Sequence, residues 1–399
     1  MFKKIIKKVI KPRTIKRLKA LLFFPFGFLV FPVIIYFCKK RNKDEKLIVF
    51  LTNNPLFREV KLAYGLKNIG YKVVIVAPAR ISFDESVFYK VERYSNIIVG
   101  IIKVIKYSPY IYHLFSQMNY DIQAYLIKHK PGRIIFDDYD VLRDYYHECF
   151  IDHDIQIEKE KYCLENADGL CCRSLETQHL KREYGYKFGP RIFFPEYCMC
   201  IHKNKNHNHN HNHNHHERKQ VSIVFVGGFP RYLYEFARIC DENDIAFKIH
   251  SWNKLDDSLK DYKNIIECPI ITDYSEFIET ISECDFGVQI TFSSETAALE
   301  YKNPYLKGKY SMANKIFDYL DAGLPVITSG AKLQAKVLKS VHACILLDNS
   351  NVNEDLKGII DDLKAVKFSR PKNVEKFNIN KQIIRLENFY KRIGEICSN

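Results

Sequence analysis

The sequence predicts an α/β protein of two Rossmann-like domains. Three stretches carry this reading. Residues 47–79 run strand, helix, strand: LIVFLT, then an amphipathic stretch from Arg58 to Asn68 closed by Gly70, then YKVVIVAP. The same order restarts at Val221 with VSIVFV, Gly227-Gly228 and an apolar-periodic helix from Tyr232 to Glu242. Asn314 to Thr328, NKIFDYLDAGLPVIT, then packs a short amphipathic helix, a glycine stop at Gly323, Pro325 and the start of a buried strand into one unit. No G-x-G-x-x-G follows the first strand, so a dinucleotide site is disfavoured.

The chain has 399 residues, enough for two domains with sizeable cores, and its 47% hydrophobic content is that of a globular protein. The net charge of +14 invites a nucleic-acid reading. Its distribution argues otherwise. Residues 1–46 hold 14 Lys/Arg against Asp44 and Glu45, which leaves the rest of the chain at only +2. The 12 cysteines form no paired Cys-x2-Cys motifs, so a zinc ribbon is disfavoured and reduced thiols are expected. No metal and no cofactor is assigned.

Taken in order, the chain opens with a basic and hydrophobic segment, residues 1–46. Leu21 to Cys38 carries no charge and is closed by Lys39, Lys40 and Arg41. Its length approaches that of a bilayer span, but Pro25, Gly27 and Pro32 disfavour a straight helix, and the basic flanks suit a segment lying at an anionic surface. Whether it spans or lies in the membrane stays open. Residues 47–202 form the first expected domain. Within it, residues 97–130 are apolar, aromatic and basic, with a helical pattern over 109–129. RIIFDD (133–138) is a strand ending in two aspartates, at the edge where parallel sheets bind ligands. Asp138 is therefore a catalytic candidate. His147, in the helical stretch beyond, reads either as a general base or acceptor contact or as a solvent-facing helical histidine.

Residues 203–220 form a His/Asn-rich linker. Its repeat KNKNHNHNHNHNHHERK holds six of the 14 histidines and no apolar residue. Residues 221–370 form the second domain. After its first strand, Gly227 and Gly228 permit close backbone approach to a ligand, and Arg231 is placed to pair with a diphosphate. FKIHSW (247–252) and 264–271 read as strands, 274–282 as a helix, and ECDFGVQI (283–290) as a strand. In the 314–328 unit, Asn314, Lys315 and Asp318 stand at the start of the helix and one turn on, where α/β proteins meet phosphate. Residues 371–399 end in a helix, Ile379 to Ile396.

The 314–328 stretch resembles the NKxFEYLAAGxPVI signature of GT-B-fold glycosyltransferases of the family-4 type. CDFGV, IIFDDYD, the ADG at 167–169, NNPLFREV and LENFYKRI are similar to other segments of that family. The resemblance implies the GT-B fold, two Rossmann-like domains facing a cleft, with a nucleotide-sugar donor on the C-terminal domain and an acceptor on the N-terminal one. The final helix would cross back to the N-domain. Lys315 would be catalytic, with Asp138 and His147 as further candidates. Gly227, Gly228, Arg231, Asn314, Lys315 and Asp318 would bind the donor. With the basic segment, it implies a lipid-linked or membrane-bound acceptor, surface polysaccharide synthesis and residence at the cytoplasmic membrane face, with no nucleic-acid partner. The family's Glu-x7-Glu pair is represented here by Tyr310 and Asp318, so one carboxylate is missing and the stereochemistry stays open. A non-catalytic GT-B-like binding subunit and a nucleotide-sugar epimerase remain alternatives.

Overall fold

The computed structural model describes residues 44–116, 119–143, 152–199, 220–290, 309–348 and 350–396. The first half runs β1 (Asp44–Leu51), α1 (Phe57–Asn68), β2 (Lys72–Pro78), β3 (Lys90–Tyr94), α2 (Ile97–Ile105), β4 (Pro109–Ser116), α3 (Asp121–His129), β5 (Ile134–Asp138), α4 (His153–Asn166), β6 (Gly169–Cys172), α5 (Glu176–Tyr184) and β7 (Arg191–Phe193). Its strands lie in the order β3-β2-β1-β4-β5-β6-β7. The second half runs β8 (Ser222–Val226), a 3-10 turn (Arg231–Leu233), α6 (Tyr234–Glu242), β9 (Ala246–His250), β10 (Ile265–Cys268), α7 (Tyr274–Ser282), β11 (Phe286–Gln289), α8 (Lys315–Asp321), β12 (Val326–Ser329), α9 (Lys332–Lys339), β13 (Cys344–Leu347) and α10 (Val352–Lys364). Its order is β10-β9-β8-β11-β12-β13. Every described strand pair is parallel, which explains why LIVFL, VVIVA and SIVFV are continuous apolar runs: helices cover both faces.

In both sheets the strand order reverses beside the first strand, between β1 and β4 and between β8 and β11. Crevices at the carboxyl ends of such points are where open α/β sheets take ligands. In the second sheet, α8 stitches the switch point from beneath. The Tyr319 hydroxyl donates to the Val288 carbonyl at 3.1 Å and accepts from Val226 N at 3.2 Å. Gly287 makes this possible, because a methyl there would stand 2.4 Å from the Tyr319 ring. Gly323 closes α8 with φ of +73°, and Leu324 N reaches back to Tyr319 O at 2.8 Å.

Several expectations shift. Residues 44–46, assigned to the membrane segment, belong to β1, with Asp44 N donating to Ser108 O at 3.0 Å. PYIYHLFS, within the stretch read as helical, is the strand β4. It is buried on both faces, so the alternation that marks a strand is absent. β9 ends at His250, leaving Trp252 in the loop beyond, and β10 is shorter than residues 264–271. The helix expected from Tyr232 begins as a 3-10 turn and becomes α-helical at Tyr234. Residues 1–43, the His/Asn run through residue 219, and His147 lie outside the described residues. Among the described residues, no helix is long and apolar enough to cross a membrane.

The last helix, α11 (Ile379–Ile396), lies against the first half. Its Ile379 and Ile383 pack so tightly on α1 that a methyl at Gly65 would stand 3.0 Å from Ile379. The chain thus crosses between the halves twice, and the two passes are hydrogen-bonded side by side. Cys198 N donates to Phe377 O at 2.9 Å, and Ile379 N donates to Cys198 O at 2.8 Å. A single apolar cluster runs from β1 and α1 through α11 to Phe317 and Tyr274 of the second half.

Candidate functional site

Two groups of residues flank α8, one at the carboxyl end of the second sheet and one between the halves. Gly227 follows β8 with φ of +113°, a conformation that side chains disfavour, and its N–H donates to the His250 carbonyl at 2.9 Å. The Lys315 amine lies directly over it: a methyl at Gly227 would stand 3.1 Å from Lys315 Nζ and 3.4 Å from Trp252 Cη2. A methyl at Gly228 would meet Trp252 Nε1 at 3.2 Å. The two glycines therefore make room for an amine and an indole. Lys315 Nζ also sits 3.9 Å from the centroid of the Phe225 ring. The residue keeps some solvent contact, yet desolvation of its ammonium pushes its pKa down to about 7, against the pull of Asp318. Arg231 is exposed on the same loop and lies near enough to Asp256 to favour that carboxylate.

The second group is a buried ladder of charges between the halves. Arg58 of α1 donates to Asp137 Oδ2 through Nη2 at 2.7 Å and Nε at 2.9 Å. Its other terminal nitrogen lies 3.6 Å from Glu196. Lys61, one turn along α1, stands 3.5 Å from Glu196 and 2.6 Å from Asp318 of α8. The Tyr274 hydroxyl lies 3.2 Å from Asp318 Oδ1 and 3.0 Å from Asp321 Oδ2, donating between them. Burial works against the charge on Arg58 and Lys61, but Asp137, Asp318 and Glu196 hold both pKa values above their usual range. Burial alone would raise the Asp137 carboxyl, and Arg58 with His113 keeps it below its ordinary value. His113, Asp137 and Cys171 bring three ligand-type atoms together. The guanidinium already on Asp137 makes that cluster an ion-pair core, since a cation there would meet a like charge.

The expected site residues thus divide. Gly227, Gly228 and Lys315 come together, with Arg231 on the adjoining turn. Asn314 is drawn to the first half, its Oδ1 accepting from Arg173 at 3.0 Å, while Arg173 also donates to Asp140 at 2.8 Å. Asp318 is 4% exposed with Oδ1 held by Lys61 and Tyr274. It acts here as an anchor between halves; contact with a ribose needs its other oxygen or a parting of that pair. Asp138 is also buried. It accepts from Tyr120 at 3.1 Å, and burial with Glu160 beside it pushes its pKa well up. It lines a cavity of about 10 Å³, the room of one water, with Arg173 and Thr177. Tyr310, at the missing carboxylate's position, stacks on His179 with centroids 5.0 Å apart and accepts from Arg182 at 2.9 Å. Lys61, Arg58, Glu196, Arg173 and Trp252 were not singled out by the sequence. The one sequence signal for the first two was their place on the helix after NNPLF.

No protein-family model matches the chain, and no curated protein matches it. Solved structures do. Sucrose-phosphate synthase from Thermosynechococcus elongatus superposes with a TM-score of 0.56 at 11% identity, over 89% of this chain and 98% of that one. HepE from Anabaena, in complex with UDP and glucose, gives 0.54 at 13% identity over 89% and 100%. MnaA from S. aureus, solved with UDP, gives 0.53 at 11% identity over 88% and 98%. At such identities the likeness is one of fold. The chain has the two-domain GT-B architecture that these proteins share.

Proposed function

We propose that the protein is a glycosyltransferase that moves a sugar from a nucleotide-sugar donor to a membrane-bound, lipid-linked acceptor in surface polysaccharide synthesis. The observation that carries it is the Lys315 amine, set over Gly227 at the switch point of the second sheet with its charge only half secured. An amine poised near pH 7 gains its proton when a diphosphate arrives, and its charge counts most as the sugar departs and negative charge grows on the leaving group. Arg231 is the second candidate for the diphosphate. Supporting the reading, two neighbours of the same fold, HepE and MnaA, were solved with UDP.

The membrane part draws on the uncharged run Leu21 to Cys38 between basic clusters, which would attach residues 1–43 to the cytoplasmic face. The chain enters β1 beside Ser108, just after α2, where Ile97, Ile98 and Ile102 are exposed and Lys103 and Lys106 stand near. The deciding experiment screens the full chain for thermal stabilisation by UDP-, GDP-, ADP- and CMP-sugars, then assays transfer with whichever binds. A ligand at about 100 times its Kd adds about 2.7 kcal/mol. No stabilisation by any of them removes the donor reading, and a chain that fractionates as freely soluble without detergent removes the membrane reading.

A second reading, a non-catalytic binding subunit, is favoured by Asp318 being engaged by Lys61 and by Tyr310 standing where a carboxylate would serve. Donor binding without turnover of any acceptor or of water would select it.

A further inference from the structure

Trp252 is the single tryptophan of the sequence, and it is 63% exposed. Large aromatic side chains bury most of their surface when nothing else occupies them. This one is open, yet it is firmly seated. Ser251 Oγ accepts from Phe229 N at 3.2 Å and from Asn253 N at 3.0 Å, tying the loop after β8 to the loop after β9. The indole edge meets Gly227 and Gly228 as closely as the absence of side chains permits. One side of the ring system is thus fixed by backbone while most of its surface faces outward, beside the switch point of the sheet.

The Lys315 amine shares this seat, since a methyl at Gly227 would touch both groups. A single molecule with a flat ring and an anionic group spans both. A nucleoside diphosphate has both parts, whereas inorganic pyrophosphate lacks the ring and a free sugar lacks the anion. We propose that Trp252 is the stacking platform for the nucleobase of a nucleoside-diphosphate ligand whose phosphates lie toward Lys315. The proposal rests on the donor-site reading above and adds to it the surface that holds the base. Stacking tolerates any base, because every base has a π-face. Choice among nucleotides then falls to groups around the rim, such as Asn253.

With one tryptophan in the chain, indole emission excited beyond the tyrosine band reports this site alone. The full chain is titrated with UDP, GDP, ADP and inorganic pyrophosphate, and the affinities of Trp252→Ala and Trp252→Phe are measured by calorimetry. Expected are quenching by at least one nucleoside diphosphate, about tenfold weaker binding of it by Trp252→Ala, most of the affinity retained by Trp252→Phe, and pyrophosphate bound equally by all three proteins. Nucleotide binding with silent emission and an unaffected Trp252→Ala overturns the platform and leaves the donor site standing. Failure of every nucleotide and nucleotide sugar to bind the unaltered chain overturns the donor site, and the platform with it.

Discussion

The two sheets are built alike and finish differently. At the carboxyl end of the first, the chain fills the crevice with its own charges. Arg58 holds Asp137, Tyr139 donates to Glu59, and Tyr120 lies between Asp138 and Glu160. At the carboxyl end of the second stand two glycines, an amine of lowered pKa and an exposed indole. Among the described residues, the first end pairs its charges mostly within the chain, and at the second no carboxylate forms an ion pair with the Lys315 amine. Titratable groups with perturbed pKa values occur at both ends, so perturbation alone would not tell structure from function. What distinguishes them is whether an ion-pair partner for each group stands among the described residues.

The contrast can be broken most severely at the ladder. Replacing Lys61 by methionine leaves Asp318 buried with its cation gone and is expected to destabilise the fold by about 3–5 kcal/mol, read by urea unfolding. Asp318→Asn is expected to destabilise too, because the carboxylate then left to Lys61 among the described residues is Glu196, 3.5 Å away. A loss below about 1 kcal/mol in both would reclassify the ladder as a surface-like network.

The next effect is one of pH. Burial raises the Glu59 pKa from 4.5 to about 7. The folded state therefore keeps a proton that the unfolded chain has shed. Its contribution to stability is fully present below about pH 4.5 and disappears as pH rises through about 7, a change of about 3 kcal/mol. Glu160, also raised to about 7, acts in the same direction. Unfolding free energies measured across this window should fall with rising pH, and Glu59→Gln should flatten the slope.

At the other end, Lys315→Met should leave stability unchanged or improved, since a base whose folded pKa is lowered from 10.5 to about 7 costs stability when ionised. Turnover should drop at least about tenfold. Calorimetry of nucleotide binding near pH 7, in two buffers of different ionisation heat, should show proton uptake that the variant lacks. The smallest effect is expected between the domains. Exchanging the His/Asn run for a shorter Gly/Ser linker that still spans the gap should change stability by no more than about 0.6 kcal/mol. A joint loss of bound metal and activity in that exchange would give the histidines a role.

Local signals made much of the second half legible. The helix, glycine stop and strand of 314–328 sit where periodicity and Gly323 place them, and α11 spans Ile379–Ile396 as its apolar spacing indicates. β4 carries no strand signature in the sequence because a strand covered on both faces loses its alternation. The ladder was hidden for another reason. Lys61 and Asp318 are 257 residues apart, and a charged residue on an amphipathic helix reads as a solvated face until the partner helix is in place. Trp252 looked like the end of a strand, and only the termination of β9 at His250 frees it.

The paired crossings at Cys198 and Phe377–Ile379 carry a mechanical consequence. Two backbone segments bonded side by side make a natural hinge line, since a rotation about them leaves their mutual hydrogen bonds intact. A pair of labels across the cleft would follow such a rotation, which would have to part Lys61 from Asp318 and Arg173 from Asn314.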